Sequence, residues 1–213
     1  WFLSYFIPDK ARQIPESGIA EHLSKTGDNL PNVVQYLSEE HPEVLGEVLQ
    51  KVANRIPGLE SIKSERTVDG RLVLQFKDSP FKDPFLARHV SDGTLKMFAY
   101  LILLNDPTPP PLLCIEEPEN GLHPKLLNIL AEEFRAHAKG TNNTSGTQVF
   151  VSSHSPYFID ALRPQELWIM ERNDKGYATI QRADKIKGIP EFVSEGANLG
   201  SLWYEGFFGR GNI

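Results

Sequence analysis

Leu112-Leu113-Cys114-Ile115-Glu116-Glu117-Pro118-Glu119-Asn120-Gly121-Leu122-His123-Pro124 decides how this chain is read. Four apolar residues in a row, with turn formers on both sides, predict a short strand buried on both faces. Glu116 and Glu117 follow at once and so stand at its carboxyl end, where ligands of open α/β sheets bind. Pro118, Asn120 and Gly121 force a turn, and Pro124 suits the first position of a new helix with His123 just before it. Adjacent carboxylates in that place suit a divalent metal and an attacking water: one holds Mg2+ while the other orients or deprotonates the water. A glutamate pair alone is also what a solvated turn carries, so the flanking sequence has to decide.

Upstream, Ser91-Asp92-Gly93-Thr94-Leu95-Lys96 leads into Met97-Phe98-Ala99-Tyr100-Leu101-Ile102-Leu103-Leu104. Ser91 is a good N-cap for an apolar helix running to about Asn105, and the proline-rich stretch from Pro107 to Pro111 stops it. Downstream, Lys125 to Lys139 reads as a helix with Leu126, Leu127, Leu130 and Phe134 on one face. Residues 140–146 are a polar loop. Thr147 to Val151 is a second short buried strand, ending in Ser152-Ser153-His154-Ser155-Pro156. A short helix from Tyr157 to Leu162 follows, with Ser155 as cap and Pro156 at its first position. The order strand, helix, strand, helix over 111–162 predicts an α/β fold with a parallel sheet and right-handed crossovers.

Three chemical signals therefore come in order. A capped helix start, with a free Ser91 hydroxyl and a glycine that lets backbone come close, is an anion site. The carboxylate pair handles metal and water, and His154 at the end of the second strand can contact a terminal phosphate or the attacking water. Together these are the parts needed for phosphoryl transfer from a nucleotide.

The remaining stretches are simpler. Residues 1–7 read as a strand or amphipathic edge, and residues 8–29 as a linker rich in Pro, Gly, Ser and Asp. Asp28 or Asn29 caps a helix with Pro31 in its first turn, and a helix pair breaks near His41-Pro42 and ends before Pro57-Gly58. Ser61–Thr67 and Arg71–Lys77 form a hairpin across Asp69-Gly70, and Leu167–Arg172 and Tyr177–Arg182 form another. Residues 185–213 are weakly patterned; their aromatic residues Trp203, Tyr204, Phe207 and Phe208 read as core packing or an exposed patch.

The 213 residues are 40% hydrophobic and 23% charged, a globular composition with length for one domain or two small ones. No apolar run is long enough to span a bilayer, and no secretory leader is visible. The single cysteine, Cys114, lies in the apolar strand, a pattern that suits a reducing, cytoplasmic compartment. A net charge of -6 argues against a general nucleic-acid-binding surface, so any DNA contact needs a local patch or other parts of an assembly.

The ordered motifs resemble the ATPase heads of the ABC type, the group that includes SMC, RecF and OLD-like ATPases, and within it the bacterial AAA family ATPases that carry EEPENGLHP. The resemblance covers residues 85–172 closely. It implies the C-terminal part of a P-loop NTPase head, with a helical and hairpin subdomain and linker over 1–84, the ATPase core over 85–172 and a C-terminal hairpin and tail over 173–213. It also implies ATP and Mg2+. Ser91, Asp92, Gly93 and Thr94 are similar to the signature motif, which caps the γ-phosphate of ATP held by a second head. Glu116 takes the metal-binding place and Glu117 that of the general base. Gly121, Leu122 and His123 resemble the D-loop, and His154 the switch histidine. The general pattern has Asp where Glu116 stands, and Asp92 and Thr94 stand where transporters usually have Gly and Gln. The implied partners are a second copy of the head and a nuclease or effector, with DNA reached through the assembly, in DNA repair or phage defence.

One element of such heads is missing from the sequence: it holds no G-x-x-x-x-G-K-[ST] and no Gly-Lys pair. The expectation is a head fragment whose phosphate-cradling loop lies before Trp1 and which alone binds ATP weakly or not at all. No glutamine has the context of a Q-loop. Two other functions compete. Glu116, Glu117, Glu119 and His123 could form a metal site for a nuclease; a Toprim domain after Glu171 is rejected because too few residues remain and no D-x-D follows. The other is an interaction module without hydrolysis, against which the intact glutamates and His154 speak.

Overall fold

A computed structural model describes residues 1–140 and 146–209. Its elements are β1 (Phe2–Ser4), α1 (Pro8–Ala11), α2 (Leu30–Glu40), α3 (Pro42–Ala53), β2 (Leu59–Arg66), β3 (Leu72–Asp78), β4 (Phe85–Leu86) and α4 (Asp92–Leu104). They continue with β5 (Leu112–Glu116), α5 (Pro124–Lys139), β6 (Gln148–Ser152), α6 (Pro156–Asp160), β7 (Trp168–Arg172), β8 (Ala178–Arg182), α7 (Ile189–Ser194) and α8 (Leu199–Tyr204). The chain is mixed α/β with a parallel sheet flanked by helices.

That sheet has the order β1-β5-β6, with every pairing parallel and β5 in the middle. Leu113 and Ile115 are buried, while Leu112 and Cys114 on the other face are only half-buried, so β5 is less enclosed than its apolar run suggests. The second strand departs further from expectation. β6 pairs only with β5 among the described residues, and as an edge it leaves Phe150 55% exposed instead of buried. β2, β3 and β4 make a separate antiparallel sheet, and β7 and β8 a hairpin.

Helix α4 is the hub. A helix that is apolar all round has to be enclosed all round, and every residue from Leu95 to Leu104 is buried. Phe98 meets Phe76 of β3 edge-to-face at 6.1 Å, and Tyr100 meets Phe134 of α5 at 6.2 Å. Phe134 in turn meets Phe158 of α6 at 6.3 Å. One core thus joins α2, α3, the antiparallel sheet, α4, β5 and α5. A smaller core gathers Ile159, Ala183, Ile189, Leu199, Leu202 and Phe208, with Trp203 packed against it and Tyr204 exposed. The weakly patterned tail therefore folds as two short helices as far as Gly209; residues 210–213 lie outside the described ones, as do 141–145 of the polar loop.

The expected linker over 8–29 is instead a fixed structure. It contains α1, buries Ala11 and Leu23, and satisfies its backbone through neighbouring polar side chains. Asn32 Nδ2 donates to the carbonyls of Glu16 and Gly18 at 3.0 Å, and Asn29 Oδ1 accepts the Ser24 N–H at 2.8 Å. That bond takes the oxygen expected to cap α2, so Asn29 holds the N-cap position without a capping side chain. Ser155 stands likewise before α6 and makes no side-chain cap.

His137, near the end of α5, donates from Nδ1 to the Leu104 carbonyl at 2.8 Å. Burial pushes its pKa below the ordinary 6.5, opposed by the Leu104 carbonyl and Asp106 and assisted by Lys51. A depressed folded pKa means the unfolded chain binds more protons between that value and 6.5. The stability tied to neutral His137 is complete above 6.5 and is lost as the pH falls below it. Thermal melts from pH 7.5 down to 5.5 should show a smaller drop in melting temperature for His137→Gln than for the parent; equal drops would remove His137 from the pH response.

Candidate functional site

Glu116 ends β5 and is exposed, and its carboxylate has no hydrogen-bond partner among the described residues. The next residue leaves the strand abruptly. Glu117 still donates its N–H to the Ser152 carbonyl of β6 at 3.0 Å, then turns with φ 43°, the one positive φ outside glycine among the described residues. That left-handed conformation costs a non-glycine residue about 1–2 kcal/mol. It is held from several sides. The Glu117 carbonyl accepts the Asn120 N–H at 3.3 Å and Lys96 Nζ at 3.3 Å, and its carboxylate accepts Asn120 Nδ2 at 2.7 Å. His154, at the end of β6, places Nε2 3.8 Å from Glu117 Oε1. Glu117 and His154 thus meet because β5 and β6 pair in register and end together at Glu116 and Ser152.

Glu119 lies behind them. Its Oε1 accepts the Ser153 hydroxyl at 2.7 Å and the His154 N–H at 2.9 Å, fixing the backbone that carries His154. His123 Nδ1 accepts the Lys125 N–H at 3.2 Å and caps α5. The four-residue nuclease site does not assemble: no group of three or more His, Cys, Asp or Glu among the described residues could hold a metal. Magnesium asks for less, since it keeps several waters and is held through one or two carboxylates plus substrate phosphates. The unpartnered Glu116 carboxylate beside Glu117 fits that demand.

The signature-like residues form a second group. Ser91 caps α4 by accepting the Thr94 N–H at 3.2 Å, and its hydroxyl points at Thr94 Oγ1 at 2.9 Å, so it is engaged rather than free. Arg12 grips the same loop by donating to the Asp92 carboxylate and, at 2.9 Å, to the Val90 carbonyl. Gly93 lies against the Gly121 backbone, where a Cβ would come within 3.0 Å of the Gly121 carbonyl oxygen. Gly121 itself turns with φ 79°. Ser91 to Thr94, Gly121, His123, Lys125 and Arg55 line one open cleft of about 610 Å³. Leu122, by contrast, is buried in the core and supplies packing. Glu116, Glu117 and His154 are not among the residues lining this cleft.

Sequence reading missed Arg12, Lys96 and the positioning bonds of Glu119 and Asn120. Lys96 alone left a trace, as the single cation within an apolar helix. Burial lowers its pKa, against the pull of Glu119, Glu117 and Asp92, and burial raises that of Tyr100, helped by Glu119.

Residues 1–160 match the family described as "AAA domain, putative AbiEii toxin, Type IV TA system". The chain belongs to this family of AAA-type P-loop ATPase domains. No curated protein matches it. Among solved structures it is similar to one described as "Structural biochemistry of ATP-driven dimerization and DNA stimulated activation of SMC ATPases", at 15% identity and a TM-score of 0.52, covering 77% of this chain and 99% of that one. A second, "Crystal structure of the SmcHead bound to the C-winged helix domain of ScpA", matches at 15% identity and a TM-score of 0.51, covering 73% of this chain and 45% of that one. The AAA-type ATPase domain thus shares the fold of SMC heads. None of its described helices is long and apolar enough to cross a membrane.

Proposed function

We propose that this domain hydrolyses ATP within a cytoplasmic dimer of heads, each bound nucleotide lying between the Glu116–Glu117 end of one head and the Ser91–Thr94 cleft of the other. The reading is carried by one observation: Glu117 and His154 meet at 3.8 Å at the paired ends of β5 and β6. Glu117 accepts the proton of the attacking water, a role worth about 10²–10⁴-fold in rate. His154 Nε2 faces the same space and orients that water or the terminal phosphate. Glu116 would hold Mg2+, which neutralises charge on the phosphate oxygens when bound. Across the dimer, Ser91 turns its hydroxyl from Thr94 toward the γ-phosphate, and the unpaired N–H groups of α4 add their dipole. The α- and β-phosphates need a glycine–lysine loop, which these 213 residues do not contain.

Separation of the residues into two groups that share no cleft is what favours a composite site, since one head presents only half of it at each place. One solved structure that shares this fold is described by its ATP-driven dimerisation, and the proposal extends that behaviour to the present domain. A nuclease or other effector coupled to head closure, in DNA repair or phage defence, rests on family resemblance. The test is the solution mass of the complete protein with Mg2+ and a non-hydrolysable ATP analogue. A shift from monomer to dimer, or a tightened existing dimer, is expected. Analogue binding with no change in mass would sink the composite site.

A further inference from the structure

Lys96 is a buried cation with no carboxylate within 4.0 Å among the described residues, and it is 3% exposed. A charge placed there is costly unless its donors are matched by acceptors. Its Nζ bonds two carbonyl oxygens of one turn, Asn120 at 2.8 Å and Glu117 at 3.3 Å. The second is the carbonyl of the residue held at φ 43°. Hydrophobic neighbours fill the rest of this helix, so packing alone would be served better by methionine or leucine. Lys96 also lies little more than one turn after Ser91 on the same rigid helix, so whatever settles at the start of α4 is tied through one side chain to the backbone of Glu117.

We propose that Lys96 is a positioning residue: by clamping the Glu117 and Asn120 carbonyls it fixes the turn that aims the Glu117 carboxylate, and it links the Ser91 end of α4 to that turn. The catalytic part of this inference rests on the reading of Glu117 as the general base; the clamp itself does not.

The complete protein carrying Lys96→Met is compared with Lys96→Arg and the parent, measuring ATP turnover, ATP-dependent dimerisation and amide hydrogen exchange over residues 117–122. Lys96→Met should lower kcat on the order of a hundredfold, as a misaimed catalytic group does. KM and dimerisation should stay within about twofold of the parent, the scale of unperturbed binding. Exchange should rise over 117–122, and Lys96→Arg, which can reach both carbonyls, should restore most of the rate and protection. Lys96→Gln, uncharged and similar in volume, replaces the methionine variant should that one not fold, with the same expected split. Unchanged exchange in 117–122 would overturn the clamp. A loss of kcat, KM and dimerisation together, unrescued by arginine, would reduce Lys96 to a folding residue. Increased exchange in a protein whose Glu117→Gln variant turns over normally would fault the general-base reading while leaving the clamp standing.

Discussion

ATP turnover by the complete protein is expected to fall by about 10³-fold in Glu117→Gln, within the range for loss of a general base, while ATP binding is retained. The substitution is nearly isosteric. Glutamine keeps an oxygen to accept Asn120 Nδ2, now 2.7 Å from the carboxylate, and is no worse suited to φ 43° than glutamate. What it loses is the ability to take a proton. In the proposed cycle hydrolysis releases the heads, so the ATP-bound dimer should accumulate with Mg-ATP itself and persist for the length of a gel-filtration run. Turnover within about threefold of the parent, far inside that range, would remove Glu117 from the general-base role. His154, whose imidazole lies 3.8 Å away, would then be the next group to test.

Ser91→Arg should have the opposite effect on assembly. Ser91 is exposed at the cleft, and the loop has little room to yield, with Arg12 on Asp92 and Gly93 against the Gly121 carbonyl. A long side chain at 91 stands where the proposed arrangement brings a phosphate to the α4 N–H groups. It also removes the cap on Thr94, a loss of about 1 kcal/mol in stability. Dimerisation driven by ATP should weaken at least about tenfold, the value of one hydrogen bond to a charged group. Nucleotide binding by each separate head should be unaffected. The discriminating measurement is sedimentation equilibrium in the Glu117→Gln background: a dimer as tight as that of Glu117→Gln alone would show that Ser91 makes no contact across the interface.

The parts of the site that the sequence exposes are those with local causes. An apolar run between turn formers placed Glu116 and Glu117 at a strand end, and the same rule placed His154; pairing of β5 with β6 then brings them together. Ser91 was legible as a cap because a cap is defined by its next three residues. Arg12 was not, since the Asp92 it holds is 80 positions away, and nothing near Arg12 marks it. The same limit hid the order in a stretch rich in Pro, Gly and Ser: Asn32 ties down Glu16 and Gly18 from another element. β6 departs from the buried strand its residues suggest for a related reason. Its residues suit a buried strand, but burial is a property of neighbours, and among the described residues β6 has one on only one side.

The meeting of Gly93 and Gly121 sets how this domain can drift. The atom that a Cβ at position 93 would crowd is a main-chain oxygen, 3.0 Å from where that carbon would sit. No replacement of a neighbouring side chain can withdraw a main-chain oxygen. A lineage that acquired alanine at 93 would have to recover by shifting the whole 117–123 turn a few tenths of an ångström, and that turn carries the backbone of Glu117 and Asn120. Second-site revertants should therefore be scarce and should map to residues that reshape the turn. The contact between the two glycines belongs to the main chain, so a change at either position is felt by the whole turn.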